Sequence, residues 1–246
     1  MGIHFRKSRG IMQDFAHSFS LAFQLLWRFD PALGEIVFLS LRVTFAAVLI
    51  ACVIGLPIGA ALAILRFPGR GLFVVLFNTL MGLPPVVVGL LVYMLLSNAG
   101  PLGVLQLLYT PGAMIIAQAV LVTPIIVALT QQVLSDLNAE YADTFRSMVV
   151  PWHKAAVTLL WDARYALLTV VLAGFGRAIA EVGAVIIVGG NINHVTRVMT
   201  TAIALETSKG DLALALALGL VLLMIALAVN AAVMAVRASA RRMAYA

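Results

Sequence analysis

The sequence predicts an all-α fold: a polytopic bundle of helices that crosses a lipid bilayer. Three observations carry that prediction. Hydrophobic residues make up 63% of the 246 and charged residues only 11%. A soluble domain covers its surface with about a quarter charged residues, so lipid must solvate most of this chain. The mean hydropathy is +1.09. Apolar runs of roughly 20 or more residues recur, each long enough for a hydrocarbon core of about 30 Å. Lipid offers the backbone no hydrogen bonds, so each run must satisfy its own as a helix. The short alternating segments of a β-barrel do not appear.

Five core spans follow. The first runs from about Glu35 to Leu65, with Pro57 as the expected bend. The second runs from about Leu72 to Leu96 and contains Pro84-Pro85. The third covers Ala113 to Val133, with Pro124 inside. The fourth covers Ala166 to Val188 and the fifth Leu212 to Val236. Basic residues orient them. Arg66, Arg70, Arg146, Lys154, Arg164, Arg237, Arg241 and Arg242 fall in connections on one side. The other side holds the charge-free stretch Ser97 to Gly112 and the segment Gly189 to Asp211, with Arg197 and Lys209. The positive-inside rule puts the first group, and the carboxyl terminus, in the cytoplasm.

Residues 1–30 stand apart from a transmembrane domain at 31–246. Five spans need an outside amino terminus, yet His4, Arg6, Lys7 and Arg9 favour the inside. A short sixth span over about Ile11 to Trp27 would reconcile them. The preferred reading is an interfacial helix, because Phe15, Phe19, Ala22, Phe23 and Leu26 share one face. No cleavable signal peptide is read here.

Several function classes drop out. The net charge of +6 comes from membrane-orienting connections and tails, so no nucleic-acid partner is expected. The single Cys52 excludes an intrachain disulfide. His4, His17, His153 and His194 are scattered, so no catalytic or metal cluster is expected, and the chain is read as a non-enzyme. It holds no G-x-x-x-x-G-K-[ST] loop, so it binds no nucleotide itself. An ion-coupled secondary transporter would show repeats with matched broken helices and several buried acids. Glu181 is the one intramembrane acid in the five spans, apart from Glu35 at the edge of the first, and no repeat is visible.

Four segments carry candidate function. The polar island 134–165 is long for a connection in a compact fold. Ser135 is the expected N-cap of a separate short helix that Pro151 ends. Phe145, Met148 and Val149, beside Asp143 and Arg146, form an apolar edge for a soluble partner, or for lipid. In the second span, Met81-Gly82-Leu83-Pro84-Pro85-Val86-Val87-Val88-Gly89 removes two backbone donors. Such a break survives against protein or a wet path, or serves as a packing kink. In the fourth span, Gly174-Phe175-Gly176-Arg177-Ala178-Ile179-Ala180-Glu181-Val182-Gly183 sets Arg177 and Glu181 four apart on one helical face. They read as a buried pair that fixes the helix; the sharper alternative is contact between Arg177 and a passing anion. The outward segment carries Gly190, Asn191, Thr196, Arg197, Thr200 and Thr201, either a solvated loop helix or a reception site for an oxyanion.

These strings resemble a known family. Asp143-Thr144-Phe145-Arg146-Ser147-Met148-Val149 resembles the coupling (EAA) loop of ATP-binding-cassette importer permeases, with Asp143 for the usual Glu and Val149 for the usual Gly. Leu83-Pro84-Pro85-Val86-Val87-Val88-Gly89 resembles molybdate and tungstate permeases. GFGRAIAEVGA with GGNI and TRVMTTAIALETSKGD resembles the tungstate branch most closely. The resemblance implies a type I importer permease in the bacterial inner membrane, passing tungstate, or alternatively molybdate or another oxyanion, along a path between two copies of the chain. It also implies an extracytoplasmic tungstate-binding protein, and a separate cytoplasmic ATPase that binds ATP and Mg, this chain holding no cofactor of its own.

Overall fold

The computed structural model describes residues 31–244, with Ser20, Gln24 and Trp27 before them in helical conformation. The expected amino-terminal helix otherwise lies outside the described residues. Helix α1 spans Pro31–Ile64, α2 Arg70–Leu80, α3 Pro85–Leu96, α4 Pro111–Ser147, α5 Trp152–Asp162, α6 Arg164–Ile179, α7 Gly183–Gly189, α8 Met199–Lys209 and α9 Leu212–Ala244. Among the described residues, α1, α4 and α9 are each long and apolar enough to cross a membrane alone.

The proline-bearing spans diverge. α1 runs on through Pro57 and α4 through Pro124. At Pro84-Pro85 the expected second span instead bends by 101° between α2 and α3. The fourth span is also interrupted, with α6 ending at Ile179 and α7 beginning at Gly183. The separate helix expected from Ser135 does not exist. Ser135 lies inside α4, whose 37 residues run about 55 Å, well beyond a hydrocarbon core.

The centre of the bundle is the α1–α4 pair. Ala47, Ala51, Gly55 and Gly59, four apart, form a small-residue stripe of buried positions on α1. A Cβ on Gly55 would lie 2.8 Å from Ile126 Cγ2, and one on Gly59 2.7 Å from Thr130 Cβ. Small residues let helix backbones approach where no hydrophobic effect separates protein from lipid. The two contacts advance together along both helices, so α1 and α4 run parallel. The chain must therefore cross once between them, and the bent α2–α3 arm makes that crossing. A second apolar cluster joins Val88 and Val92 of α3 to Met114 and Ala117 of α4 and Val185 and Val188 of α7.

The ends of the bundle gather the connections as the charge pattern groups them. Arg66, Arg146 and Trp152 line one cleft of about 610 Å³ at the basic end. At the other end Tyr109 N donates to Val188 O at 2.9 Å, and His194 Nδ1 meets Glu35 Oε2 at 2.7 Å.

Candidate functional site

Two helix breaks meet inside the bundle. The first is the turn 81–84, containing Gly82 and leading to Pro84 as the N-cap and Pro85 as the first residue of α3. A proline fits there because a first-turn N–H has no helical partner to lose. The second is residues 180–182. The arms beyond the breaks pack side by side: a Cβ on Gly89 of α3 would lie 2.7 Å from Ala184 Cα of α7, and one on Gly183 3.0 Å from Val86 Cγ2.

The second break is built from polar contacts. Arg177 sits in the last turn of α6, whereas Glu181 lies two residues past its end. Their pairing thus spans the break rather than one helical face. Arg177 Nη1 donates to Glu181 Oε2, while Glu181 Oε1 accepts from Ala184 N at 3.0 Å and closes the start of α7. Gln118 Nε2 of α4 donates to Ala178 O at 3.0 Å, and Thr200 Oγ1 of α8 donates to Glu181 O at 2.7 Å. Carbonyls freed by the break are thereby satisfied, as a membrane interior requires. The Glu181 side chain is 2% exposed. Burying a carboxylate costs several kcal/mol, which this pair and the main-chain donor must offset. Gln118 Oε1, also buried, has no partner among the described residues.

The basic end presents a different surface from the one expected. Phe145 is half-buried, stacked on Tyr141 with ring centroids 5.6 Å apart and packed against the core. It is not an exposed anchor, because the register of the continuous α4 turns it inward. Met148 and Val149 are 70% and 85% exposed. Asp143 and Arg146 are exposed too, 3.9 Å apart, a separation that holds little energy. Val149 has φ +50°, a left-handed conformation that a β-branched residue adopts only under strain. Exposed Trp152, Val157 and Trp161 of α5 extend this surface, and Arg164 stacks on Trp161 at 5.0 Å. Sequence reasoning missed these tryptophans; their signal was aromatic residues beside a basic connection, the mark of a membrane interface.

The outer segment is also corrected. Thr196, Thr200 and Thr201 are buried, not solvated. Thr196 Oγ1 donates to Gly189 O and accepts from Ile192 N, and Thr201 Oγ1 accepts from Val198 N. Their hydroxyls hold the fold and do not face outward. Gly190, at φ +70°, admits the ring of Tyr109, and Asn191 at φ +50° donates to Thr201 O at 3.4 Å. Arg197 is half-buried, and its Nε finds no partner among the described residues. Tyr93 and Tyr109 pack edge to face with ring centroids 6.4 Å apart, and the neighbouring Tyr93 phenol pushes that of Tyr109 above its ordinary value of 10.0. Among the described residues no three His, Cys, Asp or Glu side chains come together to hold a metal.

The chain is 42% identical over 226 residues to the tungstate uptake system permease protein TupB of Peptoclostridium acidaminophilum, covering 92% of this chain and 99% of that protein. The chain belongs to the permease family of ATP-binding-cassette anion transporters. Another member, a probable anion ABC transporter permease protein of Haloferax volcanii, is 40% identical over 204 residues, 81% of this chain and 88% of its own. The sulfate transport system permease protein CysT of Escherichia coli is 30% identical over 174 residues, 68% of this chain and 63% of its own. No protein-family model matches the chain. As a permease of this family it is a multi-pass membrane protein, in keeping with its apolar helices.

Proposed function

We propose that this permease passes tungstate across the cytoplasmic membrane, driven by ATP that a separate docked subunit hydrolyses. One observation carries the substrate: the identity of 42% extends along 99% of a tungstate permease and falls to 30% for a sulfate permease. The geometry fits a conduit. Two broken helices, packed arm to arm beside an arginine–carboxylate pair, are what a membrane interior tolerates where a path must open.

The partners follow from the surfaces. Met148, Val149, Asp143 and Arg146 present an exposed edge at the basic end for an ATPase, which would hold ATP and Mg. A second copy of the chain would complete the path, and an extracytoplasmic tungstate-binding protein would meet the connections at 97–110 and 190–198. The test is competitive uptake in cells expressing the chain with an ATPase and binding protein encoded beside it. Uptake of tungstate that excess molybdate barely suppresses supports the proposal. Equal suppression by molybdate or sulfate returns the substrate to tetrahedral oxyanions. No uptake from a stable complex removes the assignment.

A further inference from the structure

The α2–α3 arm is held to the bundle in an unusual way. None of the 11 residues of α2 is buried. An apolar groove of about 510 Å³ separates its end from α1 and α4, lined by Leu80, Leu83, Ile50, Ile54 and Ile116 among others. The side chains of Asn78 and Thr79 bond only to carbonyls of α2 itself. Arg70, the first residue of α2, reaches out of it. Its Nε donates to Leu62 O at 2.6 Å, and its Nη2 donates to Ser135 Oγ at 3.3 Å. Leu62 lies in the last turn of α1, where carbonyls lack helical partners and a cation is favoured. Ser135 Oγ also accepts from Gln131 Nε2 at 2.7 Å, so one oxygen on α4 takes both donors.

Ser135 lies on α4, twelve residues before its end at Ser147, or about 18 Å along an unbroken helix. The exposed edge at Met148 and Val149 follows directly. In the other direction, α2 leads through the 101° bend to α3, which rests on α7 next to Glu181. Arg70 thus stands where the docking end of α4 meets the arm that leads to the second break. We infer that Arg70 is a coupling clasp: a positioning residue that makes the α2–α3 arm follow α4, so that a displacement at the docking edge reaches the α3–α7 contact. A planar guanidinium serves because two of its donors engage two helices at once. With no fully buried side chain on α2, that half of the arm can shift against α4, and without the clasp α4 would move past it.

The inference rests on the importer reading above, and its test separates the two. The full complex with its ATPase and binding protein is reconstituted in vesicles. The readout is tungstate moved per ATP hydrolysed. Native uptake is the control; its absence sinks the importer reading and not the clasp alone. Arg70→Ala is expected to keep ATP hydrolysis within about twofold while the transport ratio falls about tenfold, the span of a typical coupling free energy. Arg70→Lys, with one compact donor group, should fall between. Ser135→Ala removes only the link to α4 and should lower the ratio in the same direction, which decides the matter if Arg70→Ala fails to accumulate. An unchanged ratio in Ser135→Ala, or hydrolysis and uptake falling in parallel, overturns the clasp.

Discussion

The α1–α4 pair and α2 of the α2–α3 arm are both apolar and pack oppositely. In the pair, glycines at 55 and 59 bring two long helices so close that a single Cβ would collide with the neighbour. In the arm, no residue of α2 is fully buried, while α3 buries Val88, Gly89, Val92 and Leu96. Hydrophobicity therefore does not tell packed helix from exposed helix in a membrane, because lipid is as apolar as leucine. Small-residue spacing and polar contacts do, since association in lipid rests on close packing and hydrogen bonds. The pair reads as the frame, and α2 reads as the half of the arm free to move.

The sharpest way to break this comparison is at the seat of the arm. Arg177→Ala leaves the Glu181 carboxylate buried without its cation, an expected cost of about 3–5 kcal/mol. Detergent-solubilised protein should lose thermal stability sharply, and exchanging the two residues should recover part of it. If Arg177→Ala keeps full stability but abolishes uptake, contact with a passing anion is the better account of Arg177. Next comes the frame. Gly59→Leu places side-chain atoms against Thr130 Cβ and Val127 O, and a backbone carbonyl yields little. An expected loss of roughly 3 kcal/mol would show as reduced monodisperse yield on size exclusion. Gly89→Leu wedges α3 off Ala184 and should cost about 1–3 kcal/mol, with a larger effect on uptake than on yield.

A smaller effect of opposite sign is expected at the docking edge. Val149→Gly relieves a left-handed φ and should stabilise the chain by about 1–2 kcal/mol, read as a raised melting temperature. The smallest belongs to the arm's open face. Leu72→Ala on α2 should change stability by less than about 0.5 kcal/mol. A loss several times larger would mean that α2 is packed against something in the membrane, such as a second copy of the chain.

Much of the fold was legible in the sequence. Spans were readable because any unpaired backbone in lipid is prohibitive, so a long apolar run has one solution. The grouping of connections was readable because charge segregation is a property of composition. The Gly55-x-x-x-Gly59 spacing was also there to be read, and it marks the α1–α4 contact. Proline consequences were not. Pro57 and Pro124 leave their helices continuous, whereas Pro84-Pro85, with Gly82 just before, turns the chain by 101°. Pro57 and Pro124 lie beside the Gly55–Ile126 and Gly59–Thr130 contacts of the α1–α4 pair, packing that local sequence does not name.

The candidate site divides in the same way. That Arg177 and Glu181 pair could be anticipated from their spacing; that they bridge a break could not, because Gln118 and Thr200 support it from 60 and 19 residues away. Exposure of Met148 and Val149 followed from a polar island, but the inward turn of Phe145 came from α4 continuing past Ser135 without a stop. The outer threonines looked solvated because hydroxyls in a loop usually are, and only the folded chain supplies the buried carbonyls and amides they join. The sequence by itself determined that this protein lives in a bilayer and how its ends are sorted, since transfer free energy and charge are summed residue by residue, and its motif strings carried the family. Tertiary structure alone decided where helices break, which side chains turn inward and what holds the arm, since each depends on partners distant in the chain.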